Sequence, residues 1–197
     1  MSKKDLKTMN RNAGFTLIEL IVTVALAAIV LTIGVPTFRT AILNNTRTAQ
    51  ANEFVGVLSL ARSEAAKRGL RVVVCRSEDG MNCKTDTSGA WENGWIVFVD
   101  QNQDGDSNPY TPSSQPNSAD VLKVQGSIDR NFSLRSGSTF TQWIAYLPNG
   151  VSAGNTGLGT GTFRLCDSRG VDQARFVVIS GTGRVRAREK ETGDVCP

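Results

Sequence analysis

Residues 14–36 read G-FTLIELIVTVALAAIVLTIGV-P, and this stretch decides the fold of the chain. Glu19 is its only charged residue. A helix needs about 20 residues, at a rise of about 1.5 Å each, to cross the hydrocarbon core of a bilayer. A cleaved secretory signal has a shorter apolar region, of about 7–15 residues, and its cleavage site follows that region, whereas Gly14 precedes this one. We therefore expect a membrane helix that stays with the mature protein.

The residues around Gly14 resemble the class III signal of type IV pilins and type II secretion pseudopilins. A short basic leader ends in Gly14, Phe15 follows, and Glu19 is the fifth residue after the glycine. The resemblance implies that a prepilin peptidase cuts between Gly14 and Phe15 and methylates the new N-terminus. It also implies that Glu19 sets the stagger between subunits by pairing with the N-terminal amine of a neighbour. The alternative is that Glu19 is a tolerated surface charge whose carboxylate reaches the lipid headgroups. Acidic residues inside membranes, however, are usually functional.

The charge of the chain lies mostly in its leader. The whole chain has a formal net charge of +4, of which residues 1–14 contribute +3, from four basic residues and Asp5. Cleavage would leave a charge of +1, so net charge alone gives no reason to expect nucleic-acid binding. The basic leader predicts a cytoplasmic N-terminus and a head on the periplasmic side of the inner membrane.

The chain is expected to contain four parts, which are a leader (1–14), a transmembrane and filament-core helix (15–36), an amphipathic helix (37–69) and a β-rich head (70–197). Gly34 and Pro36 predict a bend or local melting, because proline removes a helical hydrogen bond. The helical pattern then resumes with apolar residues at spacings of three and four, namely Ala51, Phe54, Val55, Leu58, Ala61 and Ala65. Gly69, which follows Lys67 and Arg68, should end the helix.

The rest of the chain favours β-structure. Short segments rich in β-branched and aromatic residues predict strands at 71–76, 95–99, 121–124, 132–134, 139–147, 163–166, 174–179 and 184–188. The segments Asn149-Gly150 and 180–183 look like hairpin connections. An antiparallel sheet would cover the apolar face of the helix, which gives an α+β head.

The order of these segments is similar to that of the GspH/FimT/FimU family. The segments that carry this resemblance are LARSEA (60–65), GWIVFVD (94–100) and GRVR (183–186). The resemblance implies a type IV pilin-like fold, in which a long N-terminal helix packs on an antiparallel sheet.

Four cysteines lie in the head, in what should be an oxidising compartment. They are Cys75, Cys83, Cys166 and Cys196, and they allow three disulfide pairings. We expect Cys75 with Cys83 and Cys166 with Cys196. Their spacing and the absence of histidine from the sequence do not fit a zinc site.

Two loops resemble ligand-binding motifs. Asp100, Asn102 and Asp104 occupy the first three ligand positions of a calcium loop, but Thr111 stands where its bidentate glutamate should be. A solvated turn explains the same residues. The segment 154–161 (GNTGLGTG) has no following lysine and is expected to be a flexible loop rather than a nucleotide site.

A basic stripe lies near the C-terminus, where Arg184, Arg186, Arg188 and Lys190 alternate along the sequence. A strand would place all four on one face, where they could contact phosphates. In the resembled family, some FimT-type pilins bind DNA through a G-R-x-R segment, which Gly183, Arg184 and Arg186 match. The alternative is a charged edge strand that discourages pairing with other strands.

These features indicate a minor pilin that assembles into a type IV pilus and helps to initiate or cap it. The expected partners are other major and minor pilins, the prepilin peptidase, the inner membrane before assembly and double-stranded DNA. A GspH pseudopilin of a type II secretion system and a dedicated DNA-uptake pilin are the alternatives. The absence of histidine and the scattered carboxylates give no catalytic constellation, and no cofactor or enzyme activity is expected.

Overall fold

The computed structural model describes residues 14–101, 120–157 and 159–196. Within them the chain forms one α-helix, α1 (Leu17–Arg68), and nine strands. The chain divides into two compact units, one that ends at Asn44 and one that starts at Asn45. The second unit, which we call the head unit, contains the C-terminal part of α1 and all nine strands.

The strands form two antiparallel sheets. The five-stranded sheet has the order β3-β2-β1-β5-β6, and the four-stranded sheet has the order β4-β7-β8-β9. In chain order the strands are β1 (Arg71–Arg76), β2 (Trp95–Asp100), β3 (Val121–Gln125), β4 (Phe132–Ser136), β5 (Trp143–Tyr146), β6 (Ser152–Gly154), β7 (Gly161–Asp167), β8 (Arg175–Ile179) and β9 (Val185–Arg188). The α+β class predicted from the sequence is confirmed.

The core of the head unit forms around Phe54 of α1. Its ring meets Trp91, Trp95 and Phe163 edge-on, at centroid distances of 5.8, 5.1 and 4.8 Å. The helix buries Ala51, Phe54, Val57, Leu58, Ala61 and Ala65, so Val57 replaces the predicted Val55, which is only half-buried. Because both sheets contribute rings to this cluster, the helix face predicted from its apolar spacing joins the two sheets.

The helix ends as the sequence predicts. Gly69 adopts a left-handed φ of 67°, which suits glycine, and its backbone N–H donates to the carbonyl of Ala65 at 3.0 Å. Lys67 and Arg68 lie in the last turn, where cations interact favourably with the helix dipole.

The local melting predicted at Gly34 and Pro36 is wrong, because α1 is helical through both residues. Proline removes only one backbone donor, and the turns on both sides keep their own hydrogen bonds. The hydroxyls of Thr37 and Thr40 also donate to the carbonyls of Ile33 and Pro36, at 2.9 and 3.0 Å.

The strand predicted at 139–147 is shorter in the structure. Residues Ser138–Phe140 form a 3-10 turn, and β5 starts only at Trp143. The reason is that the Phe140 ring stacks on Phe163 at 5.5 Å and its carbonyl accepts the indole N–H of Trp91 at 2.8 Å. The short strand β6 was not predicted, because its three residues, Ser152, Ala153 and Gly154, carry no β-branched or aromatic side chain.

Candidate functional site

The N-terminal part of α1 is apolar and exposed. Phe15 is 85% exposed and Leu31 is 61% exposed, and the large apolar side chains between them are exposed as well. By length and composition this part of the helix could cross a membrane. A surface of this kind is stable in lipid or against other helices but not in water.

The start of α1 is capped by Thr16. The Thr16 side-chain oxygen accepts the backbone N–H of Glu19 at 3.3 Å, which satisfies one of the free donors of the first turn. Glu19 therefore lies in the first turn, where the helix dipole favours a negative charge. It is exposed, so its carboxylate can be reached by a partner.

Gly14 lies in open space. No atom of the described residues lies within 4 Å of the position that a Cβ on Gly14 would take. The described part of the chain therefore places no steric demand for glycine at this position, so a requirement for Gly14 is expected to come from a protein that binds it.

The structure contains two disulfides, in the pairs that the sequence favoured. Cys75 is bonded to Cys83 with a Cα–Cα distance of 5.5 Å, and Cys166 is bonded to Cys196 at 6.1 Å. The second disulfide closes a loop of 30 residues and ties the end of the chain to β7. In the chain-entropy description, a disulfide that closes a loop of that size raises the free energy of unfolding by about 3–4 kcal/mol.

Buried Arg76 holds the segment that follows the first disulfide. Its guanidinium donates to the carboxylate of Asp86 at 2.9 and 3.0 Å and to the carbonyls of Ala90 and Thr141. The hydrogen bonds from Arg76 hold the pKa of Asp86 well below its usual range. Sequence alone does not indicate this role, because Arg76 is recognisable only as the last residue of a strand.

The basic stripe at the C-terminus is divided in the structure. Only residues 185–188 form a strand, so Arg184 and Lys190 lie outside β9, and the predicted face of four cations does not form. Lys190 pairs with Asp172 at 2.6 Å. In the described residues Arg184 and Arg186 form no ion pair, and both are exposed.

Arg188 has a structural role. It pairs with Asp194 at 2.5 Å and lies over the ring of Phe176, 5.0 Å from the ring centre. The hydrogen bond between Arg188 and Asp194 raises the pKa of the arginine and lowers the pKa of the aspartate. Arg188 therefore fixes the C-terminal tail on β8, and only Arg184 and Arg186 remain available to a ligand.

Gly183, the glycine of the GRVR segment, is required by close packing. It has a left-handed φ of 74°, and a Cβ at this position would lie 2.1 Å from the carbonyl oxygen of Gly150. The turn between β8 and β9 therefore touches the turn between β5 and β6 through two glycines. Both turns lie where the sequence predicts them, with Gly150 and Gly183 donating to the carbonyls of Leu147 and Ser180.

Arg62 joins the helix to these two turns. Its guanidinium donates to the carbonyl of Gly150 and to the carbonyl of Thr182, each at 3.0 Å. Arg62 does not belong to the apolar spacing of the helix, and that spacing carries no signal of this contact.

Asp100, the first residue of the calcium candidate, is buried in an ion pair with Arg71, with 2.5 Å between the charged atoms. Asn102 and Asp104 lie outside the described residues. Among the residues that the structure describes, no group of three or more histidine, cysteine, aspartate or glutamate side chains could hold a metal ion.

Three of the four glycines in the segment 154–161 serve packing, and the fourth, Gly157, has a left-handed φ of 78° that suits glycine. A Cβ on Gly154 or Gly161 would lie 2.6 Å from the ring of Phe140, and one on Gly159 would lie 1.9 Å from the carbonyl oxygen of Ser152. These close approaches explain the glycine-rich sequence without a phosphate.

A long N-terminal helix packed on antiparallel sheets, with an exposed apolar first half, defines a pilin-like protein. The family model "Type II transport protein GspH" matches residues 50–183, and "Prokaryotic N-terminal methylation motif" matches residues 9–35. The chain belongs to the GspH family and is a minor pilin or pseudopilin of the GspH/FimU type. The matched range ends at Gly183, before the arginines of the basic stripe.

Two crystal structures of the type IV minor pilin FimU from Pseudomonas aeruginosa are similar to this chain. Their TM-scores are 0.51 and 0.52 at 19% identity, and they cover 72% and 77% of this chain and 91% and 93% of FimU. The minor pseudopilin EpsH of the type 2 secretion system of Vibrio cholerae has a TM-score of 0.46 at 14% identity, over 73% of this chain and 96% of EpsH. No curated protein sequence matches the chain.

Proposed function

We propose that this chain is a minor subunit of a type IV pilus that helps to initiate or cap the filament. The observation that supports this proposal is the exposed apolar helix directly after Gly14, with Glu19 in its first turn. Burying a Leu, Ile or Val side chain is favourable by about 1.5–3 kcal/mol. The segment 15–35 therefore needs lipid before assembly and a bundle of neighbouring helices after it.

In this proposal each part of the N-terminus has its own role. A prepilin peptidase cuts after Gly14 and methylates Phe15 while the leader is in the cytoplasm and the head is in the periplasm. Glu19 then meets the N-terminal amine of a neighbouring subunit as the helix leaves the inner membrane. Pairing of the two charges offsets the cost of a carboxylate in an apolar environment, and this fixes the stagger between subunits.

Replacement of Gly14 tests the proposal. Because the chain leaves open space at this position, Gly14→Val should leave the fold intact. We expect the variant to keep its leader, to remain in the inner membrane and to be absent from sheared pili. Alanine replacement of Asn12 in the leader serves as the matched control and should be processed normally. Unprocessed Gly14→Val protein in pili would contradict the proposal.

The alternative is a subunit of a type II secretion pseudopilus, which would have the same leader, helix and kind of head. Deletion of the gene distinguishes the two functions. If the chain serves the pilus, the deletion should reduce piliation and leave enzyme secretion unchanged. Normal piliation with failed secretion would favour the pseudopilus.

Capture of double-stranded DNA is a second candidate function, and the exposed, unpaired Arg184 and Arg186 favour it. Arg188 and Lys190, which also belong to the stripe, are held by carboxylates and are not needed for the test. We expect the detergent-solubilised protein to shift a DNA duplex in a gel. The log of affinity should fall with the log of salt by about 0.9 for each phosphate neutralised.

The control for this experiment removes the same charge elsewhere. Replacing Arg184 and Arg186 with alanine should abolish the gel shift, whereas replacing the exposed Lys67 and Arg68 at the end of α1 should not. No shift at low salt, or an equal loss in both double variants, would refute DNA capture through Arg184 and Arg186.

A further inference from the structure

A groove in the head unit lies where the two glycine turns meet the C-terminal part of α1. It has a volume of about 490 Å³. Arg62 and Arg184 both line it, and we call it the Arg62–Arg184 groove. Its other principal lining residues are small or polar, namely Ser59, Ser63 and Ala66 of α1 and Asn149, Gly150 and Gly183 of the turns. Among the described residues none of those that line the groove is acidic.

Among the described residues, the positive charge in this groove has no carboxylate partner. Arg62 is half-buried and donates to the carbonyls of Gly150 and Thr182, and no ion pair in the part of the chain that the structure describes is formed by it or by Arg184. Three other cations of the four-stranded sheet and its connections do have carboxylate partners, namely Arg169 with Asp167, Arg175 with Glu189 and Arg188 with Asp194, whereas Arg186 has none in this described part of the chain. Two neighbouring guanidinium groups without a carboxylate favour binding of an anion.

The walls of the groove favour a polypeptide. Glycine residues and the small side chains of serine and alanine allow another backbone to approach closely. Val185, which also lines the groove, is the first residue of β9, and β9 is an edge strand of its sheet. The outer backbone groups of an edge strand can pair with an extended peptide. A DNA duplex is too wide to enter such a groove, and of the two arginines that line it the duplex would reach only the exposed Arg184.

We propose that the Arg62–Arg184 groove binds an extended, acidic segment of a neighbouring protein subunit, with one of its carboxylates placed between the two guanidinium groups. The planar guanidinium of arginine matches a carboxylate with two parallel hydrogen bonds. This inference rests on the proposed function, because a filament supplies the neighbouring subunit.

The test supplies the missing carboxylate from within the chain. Ser59 is exposed and precedes Arg62 by three residues, a spacing at which side chains on a helix meet. Ser59→Glu should therefore occupy the groove, whereas Ser59→Gln has nearly the same shape without the charge. The full chain in a neutral detergent is titrated against the fluorescent peptide acetyl-Gly-Glu-Gly-Asp-Gly-amide and against its Gln/Asn counterpart.

We expect the unmodified chain and Ser59→Gln to bind the acidic peptide but not the neutral one. Ser59→Glu should weaken binding about tenfold or more, the scale of a hydrogen bond to a charged group. Arg184→Ala should have a similar effect. Arg186→Ala removes an equally exposed cation that does not line the groove and should change binding less than about twofold.

Three results would overturn the groove proposal. In the first, the unmodified chain does not bind the acidic peptide. In the second, the two Ser59 variants bind it equally well. In the third, Arg184→Ala and Arg186→Ala lose peptide affinity equally and a DNA duplex displaces the peptide. The assay requires neither processing nor a filament. A chain that binds the peptide but never enters a pilus would therefore overturn the proposed function alone, and one that enters pili but does not bind the peptide would overturn the groove alone.

Discussion

Gly183→Ala tests the packing that places the basic edge strand. The new Cβ would lie 2.1 Å from the carbonyl oxygen of Gly150 and 3.2 Å from the ring of Tyr146, at a φ of 74°. The left-handed conformation costs a non-glycine residue about 1–2 kcal/mol. Because the clash is with backbone, the two turns must separate, and Arg62 would lose at least one hydrogen bond, worth about 1.5–3 kcal/mol for a charged donor.

Together these effects lower the free energy of unfolding by about 2.5–5 kcal/mol. For a domain of this size the melting temperature should fall by about 5–20 °C. Thermal unfolding of the detergent-solubilised protein, followed by near-ultraviolet circular dichroism with both disulfides intact, measures the change. Gly181→Ala is the matched control, because its Cβ would meet only the Thr160 methyl group at an ordinary 3.4 Å. Equal melting temperatures for the two variants would refute the reasoning.

Three further predictions concern the head unit. Phe54→Ala should lower the free energy of unfolding by about 3–5 kcal/mol in urea titrations, because it leaves a cavity among three aromatic rings. A loss near 1 kcal/mol would count against the central role of Phe54. Asp86→Asn should destabilise the protein at neutral pH. Since the folded state lowers the pKa of Asp86, the ionised carboxylate stabilises the fold above the ordinary carboxyl pKa of about 4. The difference in stability between the variant and the unmodified chain should therefore shrink as the pH falls below that value. Replacing both cysteines of the Cys166–Cys196 disulfide with serine should lower the free energy of unfolding by about 1 kcal/mol more than the same change at Cys75–Cys83, because the loops span 30 and 8 residues. Equal losses of stability in calorimetry would contradict this prediction.

The features that the sequence predicted correctly depend on local chemistry. The apolar spacing of the helix, Gly69 at its end and the glycine turns at Gly150 and Gly183 are each set by neighbours in sequence, and the structure contains them all. The fold class follows from these elements, because the buried face of the helix needs a sheet against it.

The features that the sequence did not predict depend on contacts between distant residues. Arg62 meets Thr182 across 120 positions, and Phe140 leaves the predicted strand to stack on Phe163. The predicted basic stripe is divided because β9 ends at Arg188 and because Lys190 pairs with Asp172, 18 positions away. A charge pattern along one strand carries no information about such partners.

The central claim is that the helix after Gly14 is processed and buried in a filament. Mass spectrometry of the protein recovered from sheared pili tests it most directly. The account predicts a chain that starts at N-methylated Phe15 and contains two disulfides, Cys75–Cys83 and Cys166–Cys196. An intact, unmethylated chain that starts at Met1, with reduced thiols and found only in the cytosol, would contradict it.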